Sequence, residues 1–144
     1  MIYFDTAYIA KCYLHEAGSA AVVSLAATAS SVTSCAVARL ELAATLQRHR
    51  RENRLTQEQA QATWQKFEMD EQMGAWEWTP VTQGLIRAAC AKTRQLPASV
   101  FLRSADALHL TSAREQGFTE IYTNDRHMLA AAPYFDLRAV NILP

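Results

Sequence analysis

Four acidic residues sit where acids are hard to explain as ordinary surface. Asp5 follows the apolar triplet Ile2-Tyr3-Phe4, and Asp125 follows Ile121-Tyr122-Thr123-Asn124. An acid between a strand and a helix ordinarily serves as an N-cap, accepting from backbone N–H groups of the first turn. Two such positions also favour a shared acidic mouth, because loops after parallel strands gather at one edge of a sheet. Asp106 lies within Ser104-Ala105-Asp106-Ala107-Leu108-His109-Leu110 and shares a helical face with Leu110 and Ala113. An acid in a first turn suits the helix dipole, but a carboxylate on so apolar a face is partly desolvated and needs a partner. Glu41, within Val37-Ala38-Arg39-Leu40-Glu41-Leu42-Ala43-Ala44, has no basic residue three or four positions away. A solvated helix face is the simpler account of Glu41 taken alone.

Taken together, the four acids suggest chemistry. Carboxylates crowded in a low-dielectric cleft repel one another, and their pKa values rise unless a cation neutralises them. Mg²⁺ and Mn²⁺ are the matching cations, hard and oxygen-seeking. Such an ion can polarise a phosphodiester and generate hydroxide from bound water, so no Ser, Cys or His nucleophile is required.

Short apolar runs separated by longer helical patterns must position these acids. Strands are expected at Ile2–Phe4, Ser31–Ser34, Ala75–Thr79, Glu120–Thr123 and Leu137–Ile142. Helices are expected at Thr6–Leu14, Ser19–Ala29, Ala36–Glu52, from Thr56 towards Gly74, Thr82–Lys92, Ala105–Gln116 and Asp125–Ala131. Thr56 and Gln59 have the spacing of a capping box, and Ser104 stands where a cap for the next-to-last helix belongs. Strands alternating with helices imply an α/β fold, a central parallel sheet sandwiched by helices. At 144 residues the chain is expected to form one domain, 1–144.

Composition narrows the classes further. Half the residues are hydrophobic and 19% are charged, with fourteen basic residues balancing fourteen acidic ones. That excludes a polycation or an acidic tail, but a neutral sum says nothing about local charge. Three scattered cysteines, Cys12, Cys35 and Cys90, make no disulfide framework and read as small core residues of a cytoplasmic protein. No charge falls between Glu16 and Arg39, yet that stretch is alanine with hydroxyls, a poor composition for spanning a bilayer. No membrane association is expected.

The spacing and surroundings of the acids resemble the PIN-domain ribonucleases, most closely the VapC-type toxins of bacterial toxin–antitoxin pairs. The likeness spans nearly the whole chain: the strand ending in Asp5-Thr6, Glu41 inside a long early helix, Leu102-Arg103-Ser104-Ala105-Asp106-Ala107-Leu108-His109-Leu110, and Thr123-Asn124-Asp125-Arg126 after a late strand. The resemblance implies that Asp5, Glu41, Asp106 and Asp125 form a metal-binding catalytic cluster. It implies cleavage of RNA with Mg²⁺ or Mn²⁺, and a protein antitoxin that blocks the site. Thr6 adjoins the first acid, and Thr123 takes the family's small hydroxyl position, suited to bonding an acid or a metal-bound water. An RNA-processing nuclease without antitoxin and an inactive PIN-like binding module are the alternatives.

Other candidates are weighed beside this one. In the family pattern that Asp106-Ala107-Leu108-His109-Leu110 resembles, His109 is a packing or supporting residue rather than a zinc ligand, and His127 has no assigned role. Trp64, Trp76 and Trp78 read as core or subunit contacts, and a homodimer is the expected assembly. A phosphoryl-receiver domain is excluded, because none of Lys11, Lys66 and Lys92 ends a strand. Glycine-rich phosphate loops are absent. Arg48, Arg50, Arg51 and Arg54 crowd one short segment and are the first candidates for RNA phosphates. Arg103 and Arg126, beside Asp106 and Asp125, come next.

Overall fold

A computed structural model describes residues 1–144. Five short strands, β1 (Ile2–Tyr3), β2 (Val32–Cys35), β3 (Trp76–Thr79), β4 (Glu120–Tyr122) and β5 (Arg138–Val140), alternate with helices. These are α1 (Thr6–Lys11), α2 (Ser19–Thr28), α3 (Val37–Arg51), α4 (Gln57–Gln72), α5 (Gln83–Arg94), α6 (Ser104–Glu115) and α7 (Arg126–Ala131). A 3-10 turn at Ala132–Phe135, built around Pro133, follows α7 and was not expected.

Every strand pair is parallel, with Ile2 opposite Val32, Val32 opposite Trp76 and Ile121 opposite Ala139. The groups β3-β2-β1 and β4-β5 meet at a single parallel bridge between Phe4 and Tyr122. There the Asp5 N–H donates to the Tyr122 carbonyl at 3.1 Å. The spatial order is therefore 3-2-1-4-5, and the order reverses between β1 and β4. In parallel sheets that reversal opens a crevice at the carboxyl ends of the two strands. Asp5 and Asp125 follow those two strand ends.

Helices cover both faces. Successive residues of a strand point to opposite sides, so Tyr3 and Phe4 enter different cores. Phe4 joins Tyr8, Val22, Leu42, Phe67 and Trp76 beneath α1–α4. Tyr3 joins Leu85, Leu110, Ile121, Met128 and Phe135 beneath α5–α7. Trp64 and Trp78 pack against the first of these clusters.

Local signals set most boundaries. Thr56 accepts from the Gln59 N–H while the Gln59 side chain accepts from the Thr56 N–H, closing the capping box. Thr82 caps α5 by accepting from Leu85. Helix α1 stops at Lys11 rather than Leu14, because Cys12 and Tyr13 donate three residues back, to Ile9 and Ala10, and the turn tightens. Two further expectations are corrected. Ser104 is the first residue of α6 rather than its cap; Arg103 holds the cap position without a side-chain bond, and its guanidinium is engaged elsewhere. Cys90 is exposed on α5, on the side away from buried Leu85 and Ala89, whereas Cys35 is buried. No helix is long and apolar enough to cross a membrane.

Candidate active site

The crevice between β1 and β4 is the mouth of a cleft of about 570 Å³ whose lining includes Asp5, Glu41, Asp106 and Asp125. Four elements deliver the four acids: the end of β1, the face of α3, the first turn of α6 and the start of α7. The structure thus brings together residues as far apart in sequence as 5 and 125.

Asp5 and Asp125 are caps and cleft acids at once. Asp5 Oδ1 accepts from the Tyr8 N–H at 2.9 Å, which starts α1. Asp5 Oδ2 accepts from the Thr123 hydroxyl at 2.5 Å, and Thr123 in turn accepts from the Asp125 N–H at 3.0 Å. Asp125 Oδ1 accepts from His127 N–H at 2.7 Å and Met128 N–H at 3.1 Å, which starts α7. In each carboxylate one oxygen fixes the helix and the other is held for the site. The N-cap account and the functional account are compatible, because they use different atoms.

Glu41 finds its partners across the fold instead of along its helix. The Thr6 hydroxyl donates to Glu41 Oε2. His109 Nε2 lies 2.9 Å from the same oxygen and 3.0 Å from Thr6 Oγ1. A carboxylate only accepts, so Nε2 donates to Glu41, while Nδ1 lies 3.3 Å from the Tyr3 hydroxyl. Burial lifts the Tyr3 phenol well above its ordinary range, so it stays protonated. His109 is itself buried at 1% exposure. It therefore carries the orientation of Tyr3 on β1 to Glu41 on α3, a link spanning 68 residues that local spacing could not show.

Asp106 and Asp125 share one cation. Arg103 donates Nε to Asp106 Oδ2 at 2.9 Å and Nη2 to Asp125 Oδ2 at 2.5 Å. The three-residue offset between Arg103 and Asp106 was a local signal for the first contact; the second is long-range. Thr6, Arg48, Arg51 and Arg103 also line the cleft, while Arg50, Arg54 and Arg126 do not. Arg54 instead pairs with Glu52 at 3.0 Å.

The electrostatics differ from acid to acid. Burial pushes the Asp5 carboxyl up to about 6, against the opposing bonds from Thr123 and Tyr8. Burial also raises Asp106, with Arg103 opposing. At Glu41 burial acts upward too, but the His109 and Thr6 bonds outweigh it and the net direction is down. The four carboxylates do not stand as a ready-made cage for a metal. Their chemistry nevertheless fits a hard divalent cation: oxygen donors only, one of them deeply buried without a cationic side chain bonded to it, and two held by an exposed guanidinium.

The chain belongs to the PIN-domain family, whose model matches residues 2–133. No curated protein matches the chain significantly in sequence. Among solved structures it is similar to VapC20 of Mycobacterium tuberculosis, a sarcin-ricin loop cleaving toxin, with a TM-score of 0.72 and 19% identity over 96% of this chain and 99% of that one. It is also similar to VapBC2 from Rickettsia felis bound to a DNA fragment from their promoter, with a TM-score of 0.69 and 16% identity over 98% of both chains. These likenesses establish the shared fold.

Proposed function

We propose that this chain is a metal-dependent endoribonuclease and the toxin of a toxin–antitoxin pair, with residues 1–144 forming one nuclease domain. The observation that carries the reading is the convergence of Asp5, Glu41, Asp106 and Asp125 on one cleft at the switch point of a PIN fold. The similarity to VapC20 and VapBC2 supports the toxin assignment. In this reading the chain works in the cytoplasm as a homodimer, its substrate is RNA, and a cognate protein antitoxin covers the cleft.

Asp5, Glu41, Asp106 and Asp125 would hold Mg²⁺ or Mn²⁺. When bound, such an ion activates water and stabilises the charge that develops on a phosphodiester. The chain's own residues do the rest. Thr123 fixes the buried Asp5, whose carboxyl, pushed up by burial to about 6, takes up a proton only below neutral pH. Thr6 and His109 hold Glu41 ionised and oriented. Arg103 pairs with both Asp106 and Asp125, offsetting their mutual repulsion and setting a cationic group at the cleft where a phosphate would lie. Arg48 and Arg51 attract the strand at the other end of the cleft.

Purified protein incubated with cellular RNA should cut it with Mg²⁺ or Mn²⁺ and stop cutting in excess chelator. Asp5→Asn and Asp106→Asn should lower the rate at least about a hundred-fold while keeping the fold, since misplacing one group of a catalytic site costs that much. Full cleavage by either variant, or by wild type in chelator, overturns the mechanism. Inducing wild type alone should arrest growth; cleavage in vitro with unimpaired growth would favour a processing nuclease over a toxin.

A further inference from the structure

Two cross-links tie the loop before α6 to the start of α7. One is the Arg103–Asp125 pair of the cleft. The other is aromatic: the Phe101 ring and the His127 imidazole meet edge to face, with centroids 4.8 Å apart and an interplanar angle of 69°. Phe101 is two residues before Arg103, and His127 is two residues after Asp125, so the aromatic pair lies just outside the residues that line the cleft, tied to them by the chain on both sides. Phe101 is 59% exposed and belongs to neither core cluster. Arg126, outside the cleft lining, donates its Nε to His127 Nε2 at 3.3 Å, which sets a guanidinium against the bracing imidazole.

A phenyl ring in water gains little for the fold, since its stabilising contribution comes from burial. Here the ring is nevertheless held in place by the imidazole, its larger part is open, and the imidazole that braces it is bonded by the Arg126 guanidinium. Exposed aromatics beside guanidinium groups are what unpaired bases require, because every base has a face to stack and every nucleotide has a phosphate to neutralise. A protein partner of matching chemistry would need carboxylates for the arginines and an apolar side chain for the ring. A nucleic-acid strand supplies an anion and a stacking face at every step, and Arg103, Arg48 and Arg51 of the adjoining cleft suit its phosphates.

We propose that Phe101, braced by His127, is a stacking subsite for an unpaired nucleobase next to the phosphate that the acidic cleft receives. The inference rests on the ribonuclease reading and adds the register of the strand to it. Stacking tolerates any base, so the subsite contributes affinity and position rather than sequence choice.

The test uses the full chain in an Asp5→Asn background, which holds RNA without cutting it. Short single-stranded RNA oligonucleotides of mixed sequence are titrated by fluorescence anisotropy, intact and with one abasic position moved along the strand. Phe101→Ala should weaken binding of intact RNA about five- to ten-fold, the lower part of the range for one stacked base. Phe101→Trp should bind as tightly as Phe101. The loss should vanish for the oligonucleotide abasic at the stacked position and persist for the others. Equal affinity of the Ala and Phe forms overturns the subsite, as does a loss that every abasic oligonucleotide shows alike. Dissociation of a dimer by Phe101→Ala with RNA affinity unchanged would make the ring a subunit contact and also overturn it. Cleavage by wild type separates the two readings: if wild type cuts RNA and Phe101→Ala changes neither binding nor KM, only the subsite falls; if wild type neither binds nor cuts, both fall.

Discussion

At the residue scale, the acids show how one side chain can serve fold and chemistry together. Asp5 and Asp125 were legible because two acids at strand-to-helix junctions of one parallel sheet point to one edge, and the cap geometry that makes each useful to its helix also fixes it there. Their partners were less legible. Glu41 lacks a local cation, and sequence spacing could not reveal that Thr6 and His109 supply its bonds from α1 and α6. The bonds of Arg103 to both Asp106 and Asp125 were legible only by half, for the first is three residues away and the second twenty-two. Asp5 has a measurable consequence of its own. Its carboxyl titrates at about 6 in the folded chain against an ordinary 3.8, because burial disfavours the anion. Between those values the folded state binds a proton that the unfolded state has lost, so this group's contribution to stability falls as pH rises from about 4 to 6. Two pKa units correspond to about 3 kcal/mol. Asp5→Asn carries no such charge. In chelator, the stability of Asp5→Asn relative to wild type should therefore grow by up to about 3 kcal/mol over that pH range and then level off. Mn²⁺ should recover stability mainly for wild type. A difference that does not change with pH, measured by denaturant unfolding, would contradict the buried-anion account.

At the element scale, the parallel sheet and its helices follow from patterns the sequence displays openly: apolar triplets, the Thr56–Gln59 capping box, and the Thr82 cap. Element ends were harder, because a tightening turn, as after Lys11, depends on where backbone donors find acceptors rather than on residue type. The weak join between β1 and β4 was not legible either, since a single bridge leaves no periodic signature. Gly18 shows a constraint of a different kind. It stands before α2 with φ at +84°, the left-handed region, and a Cβ there would lie 2.4 Å from Leu143 Cδ2. Alanine at this position meets both an unfavourable backbone conformation and the side chain of the returning C-terminal segment. Gly18→Ala should destabilise the chain by more than about 1 kcal/mol, since a non-glycine residue at positive φ outweighs its entropic gain in the unfolded state. Thermal unfolding checks this. A companion Gly117→Ala, also at positive φ but with nothing within 4 Å of the added Cβ, should cost less. Equal costs would show that Leu143 yields freely and that backbone strain is the whole effect.

At the scale of the whole molecule, zero net charge conceals a cleft with two electrical ends. Helix α3 runs beneath it, and its face carries Glu41, Ala44, Arg48 and Arg51, each three or four residues after the one before. With a rise of about 1.5 Å per residue, Arg48 stands about 10 Å along the helix from Glu41 and Arg51 about 15 Å. Those separations exceed the screening length of about 8 Å at physiological ionic strength, so the arginines can attract a polyanion without cancelling the field of the acids. Arg50 falls off that face, although sequence crowding groups it with the others; helical periodicity decides which arginines of the cluster reach the cleft. Each phosphate neutralised on a single strand contributes about −0.7 to the slope of log affinity against log salt. Replacing Arg48 and Arg51 together by Gln should therefore weaken RNA binding for every sequence and flatten that slope by about 1.4. Replacing Arg50 and Arg54, which lie outside the cleft, should leave the slope nearly unchanged. Cleavage at saturating substrate should survive both double substitutions, because neither touches the acids or their hydrogen bonds. If the Arg50/Arg54 pair flattens the slope and the Arg48/Arg51 pair does not, the strand runs over the outer face of α3, and the acids are approached from the Arg103 and Arg126 side alone.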